Sequence, residues 1–372
     1  MAQASHILTD HQRSILGAVL NSPGIRRSEL SELIGISAQT TMRAVKPMVE
    51  RRILAEQQKP SGKRGKPASV LQYARGSLLT MGISLAVDRV RVHVCDLSGE
   101  RIASAKVAKA YTNSRQQLAD VDAKCDAVLA KIPDCAKLVG VGVSVQGYFL
   151  NEGTRFAAKA DPQGWAATDL RKHLSDKLGV PVRLMNDGRT LAASLLTTTD
   201  STHFLCIHIG SGIGGGVVMN ATLLEGVHGN AGEFGQLFPK DDDRPTEPHF
   251  LKAAGLSEWQ DWKGVDEAAV RNAPEFNTFL NRAAKKIGRA IETALALLDF
   301  SEVYVCSRMP PDLLQEICNR MEIAPLGSDI AGGDSRLFNA PPIVRPHHVP
   351  NHAQLACRMA LEAYLSPVGN EN

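Results

Sequence analysis

The chain has 372 residues, 44% of them hydrophobic and 22% charged, with 31 glycines and 19 prolines. That composition suits two or three folded units and excludes a single small module, a disordered chain and a fibrous repeat. The net charge of +3 hides an asymmetry: residues 1–76 hold 12 Lys and Arg against 5 Asp and Glu, a balance of +7, and the rest carries −4. A basic head on a mildly acidic body points to an anionic partner for the head, nucleic acid first.

Seven scattered cysteines, at 95, 125, 135, 206, 306, 318 and 357, have no C-x-x-C spacing. Neither a disulfide framework nor a thiolate zinc knuckle is expected, and a reducing cytoplasm is. No apolar run approaches the roughly 20 residues that span a bilayer, and no leader pattern opens the chain, so a membrane partner is not expected.

In the head, Ile15, Leu16, Val19 and Leu20 recur at helical spacing behind Asp10, and Asn21-Ser22-Pro23-Gly24 stops the pattern. A second helix is expected from Ser28, as its cap, to Ile34, with Leu30, Leu33 and Ile34 inward and Gly35 ending it. Ser37 caps a third, from Ala38 towards Arg51, which Pro47 should kink. Two short helices, a tight turn and a polar third helix predict a helix-turn-helix unit. Ser37, Gln39, Thr40, Thr41 and Arg43 are the candidates for base edges and nearby backbone, and Lys46 for phosphate. Short strands at Ile53-Leu54 and Val70 to Tyr73 flank a basic tip with Lys63, Arg64 and Lys66, which reads as a wing. The alternative is a small helical domain with a solvated charged face.

From Leu78 the texture changes to that of an α/β body. Strands are expected at Leu79 to Ile83, Val90 to Cys95, Leu138 to Val145, Val182 to Met185, Phe204 to Ile209 and Val217 to Met219. Helices are expected at Gln116 to Lys131, Leu191 to Leu196, Asn277 to Leu298 and Ala353 to Tyr364. Between two strands lies Ile209-Gly210-Ser211-Gly212-Ile213-Gly214-Gly215-Gly216, where Gly210, Gly212, Gly214 and Gly215 could let a backbone turn approach phosphate oxygens; Gly-rich hairpins are also often purely structural. Asn186, Asp187 and Glu233 stand at expected element ends, where α/β folds present ligand-binding groups; for Asn186 and Asp187 helix capping is the alternative.

Taken in order, Gly140-Val141-Gly142-Val143-Ser144-Val145-Gln146-Gly147, Asn186-Asp187, the glycine segment at 210–216 and His228-Gly229-Asn230-Ala231-Gly232-Glu233-Phe234-Gly235 resemble the consecutive motifs of the ROK family of sugar-responsive repressors and sugar kinases. The winged head resembles that of its transcriptional-regulator branch. The resemblance implies a winged helix-turn-helix over 1–76 and an actin-like body of two α/β lobes, 77–190 (with the C-terminal helix returning to it) and 191–372. It also implies ligand contacts at Asn186, Asp187, Glu233, Gln236, Gly147 and His228.

Departures from the family pattern favour regulation over catalysis. Where family kinases carry an Asp-x-Gly-Gly-Thr turn for phosphates and metal, this chain has Ser84-Leu85-Ala86-Val87-Asp88. Val303 to Arg308 replaces the paired glycines that meet adenosine, so the glycine segment is expected to be a vestigial phosphate loop and Asp187 a vestigial base. Gln236 stands where the family has a zinc-binding His, and the cysteine cluster that should follow is missing, so no metal and no cofactor are expected. The implied function is a sugar-responsive regulator that binds operator DNA as a homodimer or higher oligomer. The alternatives are a sugar kinase with an added DNA-binding head, or a regulator that answers only to another protein.

Overall fold

A computed structural model describes residues 8–59, 68–150, 155–241, 243–257, 262–327, 340–349 and 351–366. The head contains α1 (Asp10–Asn21), β1 (Ile25–Arg26), α2 (Arg27–Ile34), α3 (Ala38–Glu50), β2 (Leu54–Lys59) and β3 (Ala68–Tyr73). A reciprocal cap starts α1: Thr9 Oγ1 accepts from the Gln12 N–H at 3.3 Å, and Gln12 Oε1 accepts from the Thr9 N–H at 3.0 Å. Gly35, at φ 67°, closes α2 in the left-handed region, and the Ser37 hydroxyl accepts from the Thr40 N–H at 3.1 Å to open α3.

Two expectations for the head need correction. Ser28 is not a cap: α2 begins at Arg27, and Glu29 accepts the Arg26 backbone N–H at 2.9 Å, so a carboxylate supplies the capping oxygen. Leu33 is 61% exposed, which leaves Leu30 as the buried anchor of α2. Pro47 lies inside α3, which runs on to Glu50, and the ladder bond it removes would have gone to the carbonyl of Arg43, an exposed residue. β2 and β3 pair antiparallel from Leu54↔Tyr73 to Lys59↔Ala68, and β1 joins the other edge of β3. The wing tip with Lys63, Arg64 and Lys66 lies outside the described residues.

The body continues with β4 (Leu78–Ala86), β5 (Arg89–Asp96), β6 (Arg101–Ala108), α4 (Ser114–Leu129), β7 (Lys137–Val145), β8 (Gly147–Leu150), β9 (Arg155–Ala158), α5 (Pro162–Ala167), α6 (Leu170–Leu178) and β10 (Val182–Asn186). There follow α7 (Asp187–Leu196), β11 (Phe204–Ile209), β12 (Ile213–Met219), β13 (Thr222–Leu223), a 3-10 turn (Phe234–Leu237), α8 (Glu247–Ala253), α9 (Glu267–Asn272) and α10 (Pro274–Leu298). The last elements are β14 (Glu302–Ser307), α11 (Pro311–Asn319), β15 (Ile343–His348) and α12 (His352–Leu365).

The chain divides into two compact units, 1–147 with 154–185 and 353–372, and 148–153 with 186–352. In the first, the sheet runs β10-β7-β4-β5-β6, with β4 parallel to β7 and antiparallel to β5. In the second it runs β13-β12-β11-β14-β15, with β11 parallel to β14 and antiparallel to β12. Numbered within its own lobe, each sheet has the order 3-2-1-4-5, so the body is one α/β plan used twice, the actin-like arrangement expected.

Within the first unit the head has no separate core. Ile15, Leu16, Leu30, Val45, Met48 and Leu71 form one cluster with Leu78, Leu97 and Val139 of the lobe, and Leu361, Tyr364 and Leu365 of α12 pack against it. On the same lobe Trp165 stacks on Phe156 at 5.0 Å and its indole N–H donates to Gln117 Oε1 at 3.2 Å, which satisfies the buried ring's polar atom. The second unit centres on Phe250, edge-on to Phe279 at 4.9 Å, in a cluster with Ile207, Phe276 and Val305.

Candidate functional site

In the second unit, β12 and the N-terminus of α7 come together because glycines let them. A Cβ on Gly188 would lie 2.3 Å from the Gly215 nitrogen, and one on Gly216 would lie 2.5 Å from the Ala192 Cβ, so side chains at these positions would force α7 off the strand. The expected phosphate turn therefore needs correction. Gly214, Gly215 and Gly216 lie inside β12, paired with His208, Ile207 and Cys206, and only Gly210 to Gly212 turn, with the Gly210 N–H donating to the Gly212 carbonyl at 2.9 Å.

That packing places Asn186 and Asp187 at the start of α7. Asn186 is the helix cap, its Oδ1 accepting from the Gly188 N–H at 2.8 Å, and its Nδ2 donates to Glu233 Oε1 at 3.2 Å. Capping and site-building are thus done by two ends of one amide. Asp187, 9% exposed, accepts the Gly188 N–H at 2.8 Å through Oδ1, and its Oδ2 lies 3.5 Å from His208 Nδ1. Burial raises its pKa, but His208, His352 and the backbone donor outweigh that, so it is held below the usual carboxylate value and charged.

Glu233 is the opposite case. Burial, reinforced by the charge of Asp187 and only partly relieved by Arg189, pushes it up to about 7. Near neutrality Glu233 is divided between donor and acceptor forms beside an acceptor-only Asp187, a pairing able to meet the alternating donors and acceptors of a polyhydroxylated ligand.

The other expected ligand residues are arranged differently. Gln236 is exposed and donates to the Tyr148 hydroxyl, His228 is exposed, and Gly147 belongs to the first unit, where a Cβ would lie 2.5 Å from the Ala157 carbonyl. The sequence reading missed His208 and His352. Both stand with Asp187, the two Nε2 atoms 3.3 Å apart. A histidine inside the apolar run Phe204–Ile209 was the available signal for the first.

On the head, Gln39, Arg43 and Lys46 are exposed on α3 and Thr40 is half-buried at its start. Ser37 is committed to the cap. Thr41 is buried, accepting from the Ser31 hydroxyl at 3.0 Å and donating to the Ser37 carbonyl at 3.1 Å; it locks α2 to α3 and does not face a partner. The Ser84 to Asp88 stretch forms the end of β4 and a tight turn into β5, where Asp88 pairs with the Arg89 guanidinium. Arg308, beyond β14, is ion-paired with the buried Glu247 at 2.6 Å. Among the described residues no helix is long and apolar enough to cross a membrane.

Comparison with known proteins agrees with both parts. Residues 80–248 match the ROK family and residues 8–65 the MarR family. The Sinorhizobium fredii protein y4fQ is 28% identical over 351 residues, covering 90% of this chain and 86% of that one. The xylose repressor of Bacillus subtilis is 23% identical over 244 residues, 64% of this chain and 62% of the repressor's length. The crystal structure of a ROK-family transcriptional regulator, a homologue of the Escherichia coli Mlc protein, covers 96% of both chains with a TM-score of 0.68 at 14% identity, which shows a common fold. Over residues 80–248 the chain is similar to the ROK family, and over residues 8–65 to the helix-turn-helix domain of the MarR family.

Proposed function

We propose that this protein is a sugar-responsive transcription regulator that binds operator DNA through α3 and the wing, takes a sugar or sugar derivative at Asn186, Asp187 and Glu233, and transfers no phosphoryl group. The observation that carries the reading is the MarR-like match over a head with a charge of +7, with Gln39 and Arg43 exposed near the start of its third helix. Similarity to a xylose repressor supports a sugar as effector. The β4–β5 turn, with Ser84 and Ala86 in place of an acid and a glycine, supports the absence of kinase chemistry, since phosphoryl transfer depends on positioned phosphates and a metal that neutralises them.

A sugar acts on DNA binding only through unequal affinity for the DNA-competent and incompetent arrangements. Two half-sites about one helical turn apart require two heads, so the working form is at least a dimer. Gel shifts on the promoter of the protein's own operon, with a panel of monosaccharides, test the reading: one sugar changes operator affinity and none supports ATP consumption. Sugar-dependent ATP turnover above background would replace it with the kinase reading.

A further inference from the structure

We propose that Asp187, His208 and His352 form a binding site for one divalent transition-metal ion, of which zinc is the type. A ligand atom from each lies within 4.8 Å of those of the other two, and all three belong to the second unit. No local pattern joins the three residues, which open α7, lie near the end of β11 and open α12, with the two histidines 144 positions apart.

The spacing of the two histidines fits a shared ion. His208 and His352 face each other through Nε2 atoms 3.3 Å apart, with ring centroids 4.7 Å apart and planes at 62°. A tetrahedral zinc with bonds of roughly 2.0–2.1 Å holds two nitrogens about 3.3 Å from one another. Asp187 Oδ2 stands 3.5 Å from His208 Nδ1, and a ligand atom of its carboxylate lies within 4.8 Å of one on each histidine. Two imidazoles and a carboxylate suit a borderline first-row ion and not calcium or magnesium, which take oxygen cages.

The surroundings hold the set in place. His208 is 4% exposed, set in β11 between Gly214 of β12 and Cys306 of β14, and a Cβ on Gly210 would come within 2.9 Å of its ring. Asp187 is fixed by the Gly188 N–H. A buried carboxylate favours a cation beside it, and the two histidines bring ring nitrogens to the same place. This site is separate from the family's zinc loop, whose position here holds Gln236 and no cysteine cluster. It stands independently of the sugar reading, because its readout is metal content.

The experiment uses the full-length protein, stripped with a chelator and dialysed, then titrated with zinc by calorimetry and with cobalt(II) by visible absorption. Expected are about one equivalent per chain, cobalt bands of a nitrogen-ligated ion, and a zinc-dependent rise in Tm. His208→Gln and His352→Gln should each weaken binding by a factor on the order of 10 to 100 or more, with Asp187→Asn weakening it less and His228→Gln and His249→Gln leaving it unchanged. Circular dichroism of the metal-free variants separates ligand loss from misfolding. Failure of the wild type to bind a stoichiometric ion overturns the proposal, and so does undiminished binding in a folded His208→Gln, His352→Gln double variant.

Discussion

Replacing Gly82 with alanine tests whether α12 is seated on the first sheet through backbone contact. Gly82 lies mid-way along β4, and a Cβ there would stand 1.8 Å from the Ala353 carbonyl oxygen, 2.5 Å from the Cys357 nitrogen and 2.9 Å from the Cys357 sulfur. Two of these atoms are helix backbone and cannot swing aside as a side chain would. A carbon–oxygen contact relaxes at roughly 3.3 Å, so α12 would have to rise by about 1.5 Å. Overpacking where side chains can yield costs about 1–3 kcal/mol, and here the figure should reach or exceed about 3 kcal/mol, because Ala353, Ala356, Cys357 and Ala360 would all lose their close seating on the sheet. The control is Gly140→Ala on neighbouring β7, whose Cβ would meet the Ala360 carbonyl at an ordinary 3.5 Å. That change should be neutral or stabilise by about 0.5 kcal/mol through the unfolded state. Urea unfolding followed by circular dichroism gives both numbers. Leu361, Tyr364 and Leu365 carry α12 onto the core of the head, so Gly82→Ala should also hasten amide exchange in α1. Equal stability of the two alanine variants would refute the reasoning.

Three further outcomes follow from named contacts. Burial, reinforced by Arg101 and Arg91, lowers His93 from 6.5 to about 4, so the unfolded chain binds the extra proton between those values and stability falls as pH falls through that window. At pH 5 the loss is about 2 kcal/mol, and urea titrations at pH 8 and pH 5 should show a smaller fall for His93→Gln than for the wild type. On α3, Arg43→Ala should relax base preference while Lys46→Ala weakens operator and random DNA alike and lowers the salt slope by about one ion, as fluorescence anisotropy over a salt series would read. In the second unit, calorimetry with the effector sugar should show Asp187→Ala and Glu233→Ala each weakening binding by about 1–3 kcal/mol, and unaltered affinity in both would place the pocket elsewhere.

The parts of the structure legible in the sequence are those set by contacts close along the chain. Ser37 and Gly35 mark helix ends because a cap and a left-handed residue act within one turn, and Ile15, Leu16 and Val19 show the helical period of a buried face. Thr41 has the spacing of a residue on the DNA face but is buried against Ser31, ten residues earlier, a contact no local pattern reports. Leu33 sits at the right spacing for the core but falls beyond the width of the buried stripe. The acid pair of Asp187 and Glu233 is recognisable by motif, whereas the histidines beside Asp187 are not, since positions 187, 208 and 352 come together only in three dimensions.

The glycine segment shows why composition alone misleads about chemistry. Glycines that bring a backbone near a phosphate and glycines that bring two elements near each other satisfy the same requirement, an absent Cβ. In this chain the partner of Gly215 is another stretch of chain: a Cβ would lie 2.7 Å from the Cys206 carbonyl and 2.8 Å from that of Gly232. That close approach sets the loop bearing Glu233 and the helix start bearing Asp187 against one strand, near enough that the charge of one acid raises the pKa of the other. The segment thus reaches the two acids indirectly, by fixing the backbone on which they stand, and that close packing by itself requires its glycines.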